Sequence, residues 1–457
     1  MRPHTLVARL GTADAEAVQP TLVGAHVTEI DFVDVYGRLD FGLGNALDQL
    51  DALGLVPSER AIDLALLAAT VLAADTRISR EAAAQDAWTR EIEVCVPVAE
   101  PALWQQLSPL MRSTLDFLTG DKWTLRFRPR PSSRERLATA TENLRTAHPD
   151  CVCLFSGGLD SFIGAMDLFA AGATPLLVSH YWDGVASKHQ KMCAERLKAR
   201  FAGAAFHHIR ARVGFPKGVV EESLVEDTLR GRSFMFFALA ALAADALGGD
   251  ITIYVPENGW ISLNVPLDPL RLGSLSTRTT HPFYMARMNE LLQRLGMNSR
   301  LENPYRFKTK GQMARDCADH DFLTSYAKET MSCSSPGKIR FVKEKEQRQQ
   351  KHCGYCVPCL IRRASLLAGG IDDETPYYLE DLRSHVVNTD RAEGKDIRSF
   401  QLAVSRLRNK PERSRFDIHR PGPLSDHPAD LRAYMDVYVA GLEEVATLLD
   451  GVRAEPL

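Results

Sequence analysis

Apolar positions recur along this chain in two rhythms. From Glu59 to Ala74 they fall at helical spacing, through Ile62, Leu64, Leu66, Leu67 and Val71, and Pro101 to Leu118 repeats the pattern with proline in its first turn. Glu91 to Val98 and Lys122 to Arg128 alternate instead, the second around Trp123, Leu125 and Phe127, and so read as strands. The mixture predicts an N-terminal α+β domain over residues 1–140. It ends at Arg128-Pro-Arg-Pro-Ser-Ser-Arg-Glu-Arg136, where prolines, serines and four arginines replace the apolar pattern. That stretch reads as a solvated linker, or else as a contact for a phosphate or a partner.

Residues 141–330 alternate strand and helix. Cys151 to Phe155, Pro175 to His180, Ala205 to Val213 and Ile251 to Val255 are apolar runs of strand length. Asp160 to Ala171, Val185 to Phe201 and Gly231 to Leu247 are helical between them. The order predicts an α/β fold, a parallel sheet with helices on both faces and right-handed crossovers. Ligands of such sheets collect at the carboxyl ends of the strands. Residues 331–380 bunch cysteines, and residues 381–457 turn polar and helical, with apolar spacing at Ile397 to Leu407 and Asp430 to Leu449.

Composition narrows this only a little. The 457 residues are 45% hydrophobic and 25% charged with a net charge of −3, an ordinary globular balance that does not call for nucleic acid as a direct substrate. Met1 to Pro20 has no charged start followed by an apolar run, which argues against a secretory signal. The apolar stretch Phe234 to Leu247 is too short to span a bilayer and contains Asp245, so it is expected to be a buried helix and no membrane partner is expected. Nine cysteines, an odd number with three bunched, favour metal binding in a reducing, cytoplasmic setting over a disulfide framework.

The first chemical signal follows the strand at Cys151: Ser156-Gly157-Gly158-Leu159-Asp160-Ser161. Adjacent glycines turn tightly and admit a ligand close to the backbone. Amides at the start of the next helix, with the hydroxyls of Ser156 and Ser161, make a seat for an oxyanion. No lysine follows the glycines, so the P-loop of kinase-type NTPases is not matched. A turn that merely joins strand to helix is the plainer alternative.

Other candidates follow the later strands. His180 to Gly184 stands after the second, and a histidine there is as readily satisfied by a neighbour as it is functional. Glu257-Asn258-Gly259 follows the strand at Ile251. A glutamate in that position accepts two bonds from adjacent N–H donors, as on a guanine-like edge, or is a solvated turn acid. Arg232 opens a helix near the strand ends, where it meets a phosphate or carboxylate or simply lies at the surface. Gly273 to Pro282 packs five hydroxyls with Arg278 and His281, which suits either an exposed loop or a lid, and Lys310 adds another positive charge.

The second signal is Cys333 followed by His352-Cys353-Gly-Tyr-Cys356-Val-Pro-Cys359-Leu-Ile-Arg362. Four thiolates close a tetrahedral structural zinc site, with His352 as an alternative to Cys333. Such a zinc organises the fold and does not activate water.

The hexapeptide resembles the PP-loop of the ATP pyrophosphatase superfamily. With the later Cys…Cys-Gly-x-Cys-x-x-Cys-x-x-Arg pattern it resembles, over roughly residues 150–380, the 7-cyano-7-deazaguanine synthases, the QueC family. The resemblance implies an enzyme that uses ATP and Mg2+ to adenylate 7-carboxy-7-deazaguanine, releasing pyrophosphate. Ammonia then gives the amide, and a second activation the nitrile. It places Ser156, Gly157, Gly158, Leu159, Asp160 and Ser161 on the phosphates and His180 near adenine and ribose. Asp160, orienting the loop or magnesium, Arg232 and Lys310 become the catalytic candidates, and Glu257, Asn258, Arg278 and His281 the substrate-binding ones. The leading 140 residues and Ser276-Thr-Arg-Thr-Thr-His-Pro282 depart from the biosynthetic enzymes and are similar to QueC-like components of bacterial anti-phage operons. For that branch the implied acceptor is the N-terminal amino group of a partner protein from the same operon. A PP-loop tRNA-modifying enzyme and a non-catalytic scaffold are the other classes left open, as is the oligomeric state.

Overall fold

The structure is a computed structural model that describes all residues except 1, 85, 87, 139–141, 146–147, 221–225, 227, 269–277, 335–350 and 457. Two parallel sheets with flanking helices make up the first two thirds of the chain. The first contains β1 (His4–Arg9), β2 (His26–Asp31), β3 (Glu91–Val98) and β4 (Lys122–Pro129), in the order β2-β1-β3-β4. Between them run α1 (Leu43–Asp51), α2 (Glu59–Arg77), α3 (Arg80–Ala83) and α4 (Pro101–Thr119).

Every pairing in this sheet is parallel, which corrects the expected α+β arrangement of the N-terminal region to α/β. The physical reason is connection length. Each of these strands is followed by enough chain, usually helical, to return to the same end before the next begins. β1 is buried at all six positions, so it has no alternation to betray it.

The start of the stretch from Arg128 to Arg136 is not solvated, although Ser132, Ser133, Glu135 and Arg136 are exposed. The Arg128 guanidinium is buried and donates through both terminal nitrogens to the Asp14 carboxylate at 2.6 Å. Arg130 is buried against Asp63 and Glu59 of α2. Both are thereby engaged within the fold.

The second sheet contains β5 (Cys151–Leu154), β6 (Pro175–His180), β7 (His207–Ala211), β8 (Ile251–Tyr254) and β9 (Ser299–Glu302), all parallel, in the order β7-β6-β5-β8-β9. Its helices are α5 (Leu159–Ala170), α6 (Gly184–Arg200), α7 (Arg232–Leu247), α8 (Gly259–Leu263) and α9 (Pro282–Arg294). The strand order reverses between β5 and β8, which makes the crevice beyond their carboxyl ends the topological switch point.

Side-chain alternation separates the two faces. Val152, Leu154, Leu176, Val178 and Ile253 join one core with α2, α7 and the first sheet, whereas Cys153, Phe155 and Leu177 join another with Phe162, Met166 and Leu197. The first core is therefore continuous across both sheets. α7 is apolar all round because α2 and the second sheet cover it.

The remaining helices are α10 (Lys310–Arg315), α11 (His320–Tyr326), α12 (Val357–Ala368), α13 (Ala392–Asn409), α14 (Ser414–Asp417) and α15 (Leu431–Leu448). A two-residue ribbon of β10 (Val387–Asn388) and β11 (Ala454–Glu455) closes the chain. α12, α13 and α15 pack with Trp260 and Leu263 of α8 in a core of their own. Among the described residues no helix is long and apolar enough to cross a membrane.

Candidate functional site

β5 ends in the glycine-rich turn, and the turn is tight in the way its sequence demands. Gly157 has φ of +79°, and a Cβ there would lie 2.8 Å from the backbone nitrogen of Gln190 on α6. Ser161 Oγ accepts from Ser156 N at 3.2 Å and donates to the Gly158 carbonyl at 3.0 Å, so the two serines lace the loop. No side chain caps α5, which leaves its first amides directed into the turn. At Gly164 a Cβ would lie 2.4 Å from Pro256, so a glycine is also required where α5 crosses the end of β8.

Asp160, Glu257, Asn258 and Lys310 come together at the switch point. The Lys310 ammonium lies 3.1 Å from Asp160 Oδ1, with both side chains 8% exposed. Asn258 Nδ2 donates to Asp160 Oδ2 at 2.8 Å and to Glu257 Oε1 at 3.2 Å. Its own Oδ1 accepts Ile261 N and caps α8. Burial works to raise the Asp160 pKa, but Lys310 and the bonds from Glu257 and Asn258 outweigh it and hold it below the usual carboxylate value. Glu257 goes the other way. Burial, then the neighbouring Asp160 charge and their mutual hydrogen bond, push it well above the usual value.

A second group forms at the end of β6. His180 is buried, its Nε2 bonded to the Val213 carbonyl at 3.0 Å, and burial followed by Arg232 pushes its pKa down to about 3. The ring is thus neutral and donates inward. Arg232 stacks its guanidinium 3.8 Å from the Trp182 ring centroid and reaches the His180 carbonyl at 3.4 Å. Gln190 joins this group to the loop, donating to the His180 carbonyl at 3.1 Å while its backbone abuts Gly157.

Arg278 and His281 lie elsewhere, against α4. Arg278 donates to the Phe117 carbonyl at 2.6 Å, and His281 packs on the Phe117 ring while its Nδ1 accepts Phe283 N and caps α9. The rest of the hydroxyl-rich stretch, residues 273–277, lies outside the described residues.

Cys333, Cys353, Cys356 and Cys359 converge in a buried cluster whose sulfurs all lie within 4.8 Å of one another. Cys333 and Cys356 Sγ are 4.0 Å apart, and Cys353 and Cys359 Sγ 3.8 Å. Tetrahedral zinc with Zn–S bonds of about 2.3 Å sets sulfurs about 3.8 Å apart, so the donor set fits zinc. Backbone N–H groups of Cys353 and Cys356 point at the sulfurs of Cys333 and Cys353, as thiolate ligands require. The His352 alternative is not realised, since its Nε2 accepts Ser332 N at 3.2 Å. None of the nine cysteines is in a disulfide.

This cluster is tied to the glycine loop by Met331, which no motif flagged, and by Arg362, the arginine that closes the cysteine pattern. The strand-like segment leading into Cys333 places Met331 N on the Gly157 carbonyl at 2.9 Å. Arg362, fully buried, fixes that segment by donating to Thr330 Oγ1 at 2.7 Å, Ala327 O at 2.5 Å and Thr375 Oγ1 at 3.1 Å. From the other side, Asp75 of α2 accepts Gly231 N at 2.7 Å and so caps the start of α7 beside Arg232. Asp75 is itself held by the buried Arg90, which also pairs with Asp121. Glycines at close approaches were the visible hint; a carboxylate that caps a distant helix leaves no local signal.

No protein-family model matches this chain, and no curated protein matches it. The class that fold and site define is an α/β protein with parallel sheets, a glycine-rich loop at the switch point and a four-cysteine cluster able to hold a metal ion such as zinc.

Proposed function

We propose that the chain is an ATP-dependent, amide-forming enzyme of the PP-loop type. It adenylates the carboxylate of 7-carboxy-7-deazaguanine, releases pyrophosphate, and passes the acyl group to an amine, the N-terminal amino group of a partner protein. The observation that carries this reading is the loop at the switch point, with Asp160 held there by Lys310 and Asn258. In length and in its Ser276 to Pro282 segment the chain is similar to the QatC branch of anti-phage systems rather than to the shorter biosynthetic synthases.

The residues have definite work in such a reaction. Ser156, Ser161 and the amides of Gly157 to Asp160 receive the β- and γ-phosphates. Lys310 and Arg232 offset charge that develops on pyrophosphate, each in a site shielded enough for that charge to count. Asp160 fixes Lys310, and half-buried Glu257 is joined to Asp160 through Asn258. The Asp160 and Glu257 carboxylates, bridged by Asn258, offer oxygen ligands of the kind a divalent cation takes; Mg2+ bound there would supply further charge compensation on the phosphates. An acyl adenylate then yields to any unprotonated amine held in line with it.

The test is intact mass spectrometry on reactions of this protein with ATP, Mg2+ and 7-carboxy-7-deazaguanine, given ammonium or the protein encoded beside it. A partner mass gain equal to the deazaguanine acyl group, lost in Asp160→Ala, is expected. A nitrile from ammonium with no partner adduct would identify a biosynthetic-type synthase. Turnover that needs tRNA would point to tRNA modification, and no pyrophosphate release under any condition would leave a scaffold.

A further inference from the structure

The C-terminal helix α15 touches both helices whose starts carry the groups that hold Asp160. Gly441 on α15 packs so closely on Trp260 of α8 that a Cβ would lie 2.3 Å away, and Asn258 caps α8. One turn further on, Glu444 meets the start of α10. Thr309 caps that helix in a full capping box, its Oγ1 accepting Gln312 N at 3.0 Å while Gln312 Oε1 accepts Thr309 N at 2.8 Å. The Thr309 hydroxyl proton is left free for another acceptor and goes to Glu444 Oε1. Glu444 Oε2 accepts Gly311 N at 3.3 Å. Residue 311 must be glycine for this, since a Cβ would lie 2.5 Å from Glu444 Oε1 and 2.8 Å from Ala368.

Lys310 is the residue between these two donors, the first of the helix, and its ammonium ends on Asp160. We propose that Glu444 is a positioning residue for Lys310. By gripping Thr309 and Gly311 on either side of it, Glu444 sets the helix start from which Lys310 reaches Asp160. Burial raises the Glu444 pKa, and the bonds from Thr309 and Gly311, then Arg315, work against that rise. The C-terminal extension is thereby given a part in a reaction that it does not touch.

This inference rests on the reading that Lys310 serves the ATP reaction, and two independent readouts keep the failures apart. The first is pyrophosphate release by wild type, Glu444→Ala, Glu444→Gln and Glu443→Ala. Glu443, next door, pairs at the surface with Arg408 and serves as the neutral control. The second is the rate at which an amine-reactive acetylating reagent labels Lys310 in ligand-free protein, read by peptide mass spectrometry.

Glu444→Ala is expected to lower kcat roughly 100-fold, the scale of a misplaced catalytic group, with a smaller change in KM for ATP. Lys310 labelling should rise at least about 5-fold as it leaves its paired, shielded position. Glu444→Gln, which keeps the shape and one acceptor, should fall between. Glu443→Ala should match wild type in both readouts. Wild-type kcat and wild-type Lys310 labelling in Glu444→Ala would overturn the inference. Unchanged labelling in Glu444→Gln together with an unfolded Glu444→Ala would overturn it too, because the side chain would then be structural only. If wild type itself releases no pyrophosphate, the functional reading falls while the labelling still decides whether Glu444 sets Lys310.

Discussion

Gly157→Ala is the sharpest single perturbation of the loop. The residue sits at φ +79°, where an L side chain costs about 1–2 kcal/mol. The added methyl would also stand 2.8 Å from Gln190 N and 3.2 Å from its Cγ. Because the nearest atom belongs to a helix backbone, relief requires moving the loop or α6, and overpacking of this kind costs about 1–3 kcal/mol. The sum is about 3 kcal/mol, equivalent to roughly a 100-fold change in an equilibrium. The loop is a short surface turn, so it should yield before the fold does. Affinity for a non-hydrolysable ATP analogue, measured by isothermal titration calorimetry, should therefore drop roughly 100-fold with a modest change in melting temperature. Gly172→Ala is the matched control. Its φ is +82° but nothing lies within 4 Å, so it should cost stability of about 1 kcal/mol and leave nucleotide affinity alone. Binding by Gly157→Ala within about 3-fold of wild type, under 1 kcal/mol, would refute the assignment of this turn as a phosphate seat.

Lys310→Ala should destabilise the protein by about 3–5 kcal/mol, because it leaves the Asp160 carboxylate buried without its counter-charge. Asp160→Asn/Lys310→Met should recover much of that loss in chemical denaturation while remaining inactive. Acid should unfold the protein through its buried histidines. His180 and His281, 1% and 0% exposed, titrate near 3 in the folded state because burial disfavours their charged forms, and near 6.5 unfolded. The unfolded chain thus binds more protons below 6.5, so stability present above that pH is lost as pH falls, by about 3 kcal/mol per pH unit for the pair once both titrate. Urea denaturation midpoints at pH 7.5, 6 and 5 check the slope; a flat profile would contradict it. One zinc per chain should be found by elemental analysis, and its removal by a chelator should weaken ATP-analogue binding as well as lower the melting temperature, since Cys333 anchors the segment that bonds Gly157.

Strands β5 to β8 and helices α5 to α7 could be read within a residue or two, because buried parallel strands are short apolar runs and the helices between them are long; β9, α8 and α9 were not read. Pro175–His180 is an example: six buried residues bounded by Thr174 and Tyr181. The four cysteines were legible for a different reason, a spacing that serves little besides a metal. β1 and β2 were not, and with them went the parallel character of the first sheet. Arg128 and Arg130 read as solvated because composition records charge but not its partner, and their partners, Asp14 and Asp63, lie far off in the chain. Arg278 and His281 were grouped with the loop by their chemistry alone, and packing carried both to Phe117.

The same blindness to distant partners explains what the two appended regions do. Neither lends a side chain to the glycine loop. Each lends a carboxylate to the N-terminal end of a helix that carries a cation: Asp75 to Gly231, just before Arg232, and Glu444 to Thr309 and Gly311, around Lys310. A helix start is the weakest part of a helix, with amides that lack partners, and a cation placed there is only as well aimed as the cap is firm. Long side chains such as arginine and lysine also lose much entropy when fixed, so the backbone beneath them has to be rigid for their charge to be where a reaction needs it. With the four-cysteine cluster pinning Met331 to Gly157, each of the three groups on the ligand edge is held by a different added segment. Truncation of residues 381–457 should accordingly impair the Lys310 side of the site while leaving Arg232 stacked on Trp182, a split that fluorescence quenching of Trp182 and the labelling of Lys310 can report separately.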